Sequence, residues 1–260
     1  IDVINELQIK KILINPKNLF GSIQHYFHFM FGYFLPFIAN RNPDCIEYFF
    51  CDCGPLNRLL LDTPLYNIRI LNPTIEDAYE ISYSGYDSPD FPDIDIWNIK
   101  SKIFDLYEID VSLKQDYILL VDRDLPDDFY ITQAELTGSA NIRRSVPNMQ
   151  EIYKLLSEFK NTKFVFLEKK SLKEQIELFY HASCVVLQHG AAMANLIWCR
   201  PETHIVEIFC GNNYYKNLID MCELSHIQIH QEHEHAEIEP SLVLNADRKS
   251  TRLNSSHIPL

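Results

Sequence analysis

Between Tyr117 and His230, short apolar runs alternate with amphipathic stretches, and this rhythm restricts the possible folds more than any other feature of the chain. Tyr117 to Val121 (YILLV), Lys163 to Leu167 (KFVFL), Cys184 to Leu187, His204 to Phe209 and Ile227 to His230 each read as a strand. Apolar runs without polar alternation suit strands that are covered on both faces. Between them, Asn148 to Phe159 places Met149, Ile152, Leu155, Leu156 and Phe159 at helical spacing. Ser171, three residues ahead of Glu174, predicts a capping box that opens a helix with Leu172, Ile176, Phe179 and Tyr180 on its apolar face. Gly190 to Trp198 and Tyr214 to Glu223 complete the helical set. Strands that alternate with helices pair in parallel, because the helix supplies the crossover that a parallel partner requires. The expectation is a doubly wound α/β domain that binds its ligand at the carboxyl ends of its strands.

The first half repeats the theme less cleanly. Lys11 to Ile14 and Ile46 to Phe50 read as strands, Ile23 to Ile38 as a long apolar helix and Asn57 to Leu61 as a short one. Residues 72–112 carry Pro73, Pro89 and Pro92 among many Asp and Tyr residues, which predicts irregular structure and a linker near residue 113. Three segments are expected: an N-terminal α/β domain over 1–112, a second α/β domain over 113–246, and a tail over 247–260. Residues 247–257 read DRKSTRLNSSH, which resembles a translated sequencing adapter more than a folding motif. The tail is therefore expected to stay outside the packed core and the C-terminus to be truncated; the alternative is a genuine polar tail.

With 260 residues of which 47% are hydrophobic, the chain can bury one large core or two smaller ones. Its 23 Lys and Arg face 36 Asp and Glu, a net charge of −13, so it lacks the basic face that binds nucleic acid or anionic membrane. A small phosphorylated ligand needs only a few placed arginines and remains compatible with that charge. Seven cysteines without a CxxC pair fit neither a zinc framework nor a complete disulfide set, and Cys51 and Cys53 read as free thiols that could pair. Leu19 to Ala39 is the longest apolar candidate for a membrane span, and Gln24, His25 and His28 interrupt it. The chain opens without Met, so a targeting segment upstream would be invisible; the compartment is left open between the cytoplasm and, if an anchor precedes this segment, the Golgi or ER lumen.

The sharpest motif is Gln188-His189-Gly190-Ala191-Ala192-Met193-Ala194-Asn195, directly after a strand and at the start of a helix. Small residues there allow a phosphate to approach backbone N–H groups, with His189 at the mouth of the site. The plainer reading is a tight turn that lets helix and sheet pack. The stretch Ser171 to Ile208, SLKEQIELFYHASCVVLQHGAAMANLIWCRPETHIVEI, resembles the core of glycosyltransferase family 61, with its EQ…LF…A, HGA…N, proline and Glu pattern. Arg143-Arg144-Ser145-Val146-Pro147-Asn148 is similar to that family's RR…N block, Val121-Asp122-Arg123 to its strand-end arginine, and His28 with Pro36 to its H…LP block. The resemblance spans about residues 18–230.

That resemblance implies a GT-B-like fold, two Rossmann-like domains facing a cleft, and an inverting glycosyltransferase that moves a hexosyl or pentosyl group from a nucleotide-sugar, a UDP-sugar first of all. The acceptor would be a glycan or glycoprotein hydroxyl. No cofactor is implied beyond the nucleotide-sugar as substrate, and no metal: the developing diphosphate charge would fall to arginines and backbone amides. Arg123, Arg143, Arg144, His189, Gly190, Ala191, Asn195 and Glu207 are the implied donor-binding residues. Glu207 stands in an apolar strand, where a carboxylate needs partners; ribose hydroxyls or a structural ion pair would supply them.

Inverting transfer also needs a base for the acceptor hydroxyl. Relatives carry an acidic residue about four positions after the N-terminal histidine, where this chain has Gly32 and Tyr33. His28 and His189 are taken as the catalytic pair, expected to face each other across the cleft with Arg144 and Glu207 beside them. His25 or Asp52 are alternative bases, and a catalytically inactive binding relative, or a generic α/β interaction protein, are alternative functions. Packing within an aromatic helix is the plain reading of both His25 and His28. The histidines 226, 230, 233 and 235 read as a solvated segment rather than a metal site, and the absence of GxSxG argues against an esterase.

Overall fold

The computed structural model describes residues 11–16, 22–42, 44–45, 47–71, 80–84, 95–113, 116–132, 140–211 and 215–255, with the side chains of 80–84 and 249–255 excepted. The chain divides into two compact units, residues 1–107 and 108–260. The break falls ahead of the linker expected near residue 113.

The first unit holds a parallel sheet of β1 (Lys11–Pro16), β2 (Glu47–Phe50), β3 (Ile68–Ile70) and β4 (Glu80–Ser84) in the order β3-β2-β1-β4. Strand order reverses between β1 and β4. The long helix, α1, is built of an α-helical segment Tyr26–Phe29, a π-helical segment Met30–Phe34 and a second α-helical segment Leu35–Asn40. Pro36 explains the π segment: it has no N–H to give the Gly32 carbonyl, and the Leu35 N–H reaches back to Met30 O instead. Within that segment Tyr33 is fully buried; its hydroxyl donates to Ile14 O at 2.5 Å and accepts from the Cys51 N–H at 2.9 Å. Tyr33 thus ties the carboxyl ends of β1 and β2 together.

After α2 (Asn57–Leu61), the stretch expected to be irregular contributes β4 and a twelve-residue helix, α3 (Ile96–Tyr107). Its buried residues Ile96, Ile99, Lys100, Ile103, Phe104 and Tyr107 recur at helical spacing, a signal obscured by the neighbouring Asp residues. Pro73, Pro89 and Pro92 lie outside the described residues.

In the second unit, β5 (Ile118–Asp122), β6 (Thr162–Phe166), β7 (Cys184–Gln188), β8 (His204–Phe209) and β9 (Ser225–His230) form a fully parallel sheet in the order β6-β5-β7-β8-β9. On one face, Ile118, Leu120, Cys184, Val186, Val206 and Ile208 pack against α4 (Met149–Ser157) and a C-terminal helix. Alternate residues face the other side, which carries α5 (Leu172–His181) and the segment after β7. Ser171 caps α5 as its spacing predicts, its Oγ accepting from Glu174 N–H while Glu174 Oε2 accepts from Ser171 N–H. A shorter helix, α6 (Lys216–Met221), links β8 to β9; Tyr214, its expected start, lies outside the described residues.

The helix expected over Gly190 to Trp198 is a 3₁₀ helix, Ala191–Trp198, with Met193 through Trp198 all buried. One expectation is corrected. At the C-terminus, α7 (Pro240–Ser255) runs through the boundary drawn at 246/247. Val243, Leu244 and Ala246 enter the core, and Asp247 is 3% exposed with Lys160 Nζ at 3.1 Å. Tail residue Asp247 is therefore packed, because the helical stripe set by Val243 and Leu244 carries it inward. The side chain of Leu253, and Ile258, lie outside the described residues.

Candidate active site

Strand order reverses between β5 and β7, the place where parallel α/β sheets open a crevice at their carboxyl ends. Arg123 follows β5, and His189 and Gly190 follow β7. The Arg123 guanidinium donates to His189 O at 2.6 Å and to Ala140 O at 3.3 Å. Arg144 Nη1 donates to the same His189 oxygen at 3.4 Å, while its Nε pairs with Glu234 Oε1 at 3.1 Å. Arg143 ends the helical turn Ala140–Arg143 and is exposed.

Gly190 is required by this arrangement. A Cβ there would stand 1.9 Å from Arg123 Nη2, and its φ of +156° disfavours a side chain. Burial and the nearby guanidinium of Arg144 lower the Arg123 pKa to about 10, with Arg143 adding to the effect against the pull of Glu168. Arg123 is still charged at neutral pH. Crowded positive charge of this kind favours an incoming anion.

The His189 ring is not at an open mouth; its side chain is 5% exposed. It stacks on Phe209 at 3.7 Å between centroids and tilts against Tyr215 at 4.9 Å. Its Nδ1 lies 2.5 Å from Oε1 of Glu207, which is fully buried. On the other oxygen, His226 Nε2 lies at 2.9 Å and Gln228 Nε2 at 3.5 Å. Burial pushes the Glu207 carboxyl up, but the hydrogen bonds and charges of His189 and His226 outweigh it and hold the pKa below the ordinary value. The structural partners of Glu207 are thus histidines.

Asn195 does not join this group. It is fully buried, its Nδ2 donating to Gln175 Oε1 at 3.1 Å and its Oδ1 accepting from Trp198 Nε1 at 3.0 Å, which locks the 3₁₀ segment against α5. Ala191 starts that segment, half-buried. In the first unit His28 is half-buried, with His25 at 6.4 Å and Phe27 at 6.0 Å between ring centroids; burial and then His25 lower its pKa. Asp52 is exposed and accepts from Gly54 N–H and Asn57 Nδ2.

Glu234 is a residue that sequence reasoning missed, and His226, expected in a solvated segment, is half-buried against Glu207 instead. The alternation along β9 places His226 and Gln228 on the face that Glu207 occupies in β8, a signal present in the sequence once the strands are taken as neighbours. Glu234 and His235 belong to the turn after β9: Glu234 holds Arg144, and Ser145 Oγ meets His235 Nδ1 at 3.0 Å. Among the described residues, no three His, Cys, Asp or Glu side chains are grouped to hold a metal ion. No helix among them is long and apolar enough to cross a membrane.

A parallel α/β unit with arginines and a carboxylate-bound histidine at its switch point has the chemistry of a site for an anionic, nucleotide-type ligand. The glycosyltransferase 61 family model matches residues 26–206, and the chain belongs to that family. Its reaction is accordingly of the glycosyltransferase type, with nucleotide-sugar and glycan as the classes of molecule it meets. No curated protein matches the chain.

Proposed function

We propose that the protein is an inverting, GT-B-like glycosyltransferase that moves a hexosyl or pentosyl group from a UDP-sugar to a glycan or glycoprotein hydroxyl. The observation that carries this reading is the convergence of Arg123 and Arg144 on one main-chain oxygen, that of His189, with Arg123 buried among like charges. The donor diphosphate is assigned to Arg123, Arg143, Arg144 and the Gly190–Ala191 backbone, which would neutralise charge as the sugar–phosphate bond breaks. Asn195 supports the wall of that site from inside. His189, tethered by Glu207, acts beside the leaving group. His28 of the first unit is assigned as the base; its lowered pKa keeps the imidazole neutral and able to accept a proton near neutral pH.

Isothermal calorimetry with UDP tests the donor site. Charge-assisted bonds contribute roughly 1.5–3 kcal/mol each, so Arg144→Ala should weaken UDP about ten- to a hundredfold. Transfer is proposed to be metal-independent, because the arginines supply the countercharge, and EDTA should leave it unchanged. A strict Mn²⁺ or Mg²⁺ requirement, or UDP binding unaffected by Arg144→Ala, would refute this site. A second reading, a nucleotide-binding relative without turnover, is favoured by one observation: Gly32 and Tyr33 stand where the family resemblance implies an acidic residue, and the Tyr33 hydroxyl is engaged by Ile14 and Cys51. Donor hydrolysis measured alongside donor binding separates the two.

A further inference from the structure

Glu207 is the meeting point of two rings. His189 Nδ1 engages Oε1 and His226 Nε2 engages Oε2, and the carboxylate between them is fully buried in the second unit. A buried carboxylate accepts on both oxygens only where each ring presents N–H to it. That assigns His189 the Nδ1–H form and His226 the Nε2–H form, and leaves Nε2 as the His189 nitrogen that takes or gives a proton. His189 is also pinned through its main chain, whose N–H donates to Ile208 O at 2.9 Å. The ring therefore has its backbone, its stacking partner and its carboxylate all fixed, and the carboxylate is in turn held by a residue beyond the end of the family match.

We infer that His226 is a positioning residue for His189: it holds Oε2 of Glu207 so that Oε1 is presented to His189 Nδ1, and it shares the carboxylate charge that would otherwise act on His189 alone. This rests on the reading of His189 as a reacting group of the donor site. His226 touches Glu207 and none of the groups assigned to the diphosphate; its side chain is only 16% exposed, so the longer His226→Gln controls for the buried surface that a substitution there disturbs. The groups that face this chain are the Arg123 and Arg144 guanidiniums on the His189 carbonyl, the Tyr215 phenol against the His189 ring, Gln228 Nε2 on Glu207 Oε2, and His204, on which the charge of His226 acts.

Two variants test this. The amide of His226→Gln reaches where the histidine Nε2 stood; that of His226→Asn is too short. With the donor gone in His226→Asn, Oε2 of Glu207 keeps only the longer Gln228 contact, and the carboxylate is free to turn away from His189. The downfield NMR resonance of the His189 Nδ1–H, which reports its hydrogen bond to Glu207, should move by more than its linewidth, and His226→Gln should restore it. In turnover, His226→Asn should lower kcat about tenfold or more while KM for the nucleotide-sugar stays within about twofold, again with rescue by glutamine. An unmoved His189 Nδ1–H resonance in folded His226→Asn, or a glutamine variant as displaced as the asparagine one, overturns the inference. That resonance requires no substrate. A protein that shows the NMR coupling but binds no nucleotide would refute the donor-site reading and leave the coupling standing.

Discussion

At Gly190 the missing side chain is occupied by another residue's charge. Arg123 Nη2 lies where a Cβ would project, so Gly190→Ala must push the guanidinium away from the His189 carbonyl. A flexible side-chain end moves cheaply, but the backbone at φ +156° does not, and the variant should lose about 1–3 kcal/mol of stability in a denaturant melt. Its UDP affinity should fall as far as that of Arg123→Ala, and the double variant should be no weaker than either, because both remove one interaction. His204 gives a second residue-level expectation. Burial lowers its pKa from 6.5 to about 4, helped by His226 and opposed by Asp247. The unfolded chain then binds the proton first as pH falls, so stability is full above pH 6.5 and is lost progressively down to about pH 4, by roughly 3 kcal/mol at most. His204→Asn, which keeps an amide toward Ser225 Oγ, should flatten that part of the stability–pH curve. Arg123 and Glu207 stand where the sequence places them, at a strand end and inside an apolar strand, whereas Arg144 is singled out only by its likeness to the family's RR…N block. His226 was not legible as a site residue, since its significance depends on which strand lies beside β8, and alternation within one strand carries no such information.

Elements were legible in proportion to how regular their apolar spacing is. The five strands of the second unit and the capped helix α5 follow directly from runs and a capping box. The π segment of α1 did not, because a proline at position 36 signals a disturbed helix without saying whether the ladder breaks or shifts. A helix is legible over Gly190 to Trp198, but its 3₁₀ character is not, because a run of small and apolar residues satisfies both kinds. The helix α7 was masked by its composition: Val243, Leu244 and Ala246 anchor it, followed at once by a polar stretch. Truncation separates the two parts. A stop after Arg248 keeps the Asp247–Lys160 pair and should leave the thermal midpoint within about 2 °C of the full chain. A stop after Glu239 removes Val243 and Leu244, each contributing roughly 1.5–3 kcal/mol of burial, and should unfold the second unit.

On the scale of the whole molecule, the residues proposed to bind the donor all belong to one compact unit. Residues 108–260 contain their own parallel sheet, their own core and every group assigned to the nucleotide. Expressed alone, that segment should fold and bind UDP within about threefold of the full chain by calorimetry, yet transfer no sugar, because the proposed base, His28, lies in the other unit. Loss of binding in a folded segment would place part of the donor site in the first unit. The main-chain oxygen of His189 has a wider consequence. Both arginines are anchored to an atom that every amino acid possesses, whereas the imidazole is anchored by its own side chain to Glu207. On the proposed reading, loss of the ring at position 189 would stop transfer while both arginines kept their oxygen. It would also leave the buried Glu207 carboxylate one partner short, so a silent receptor would arise only together with a change at position 207.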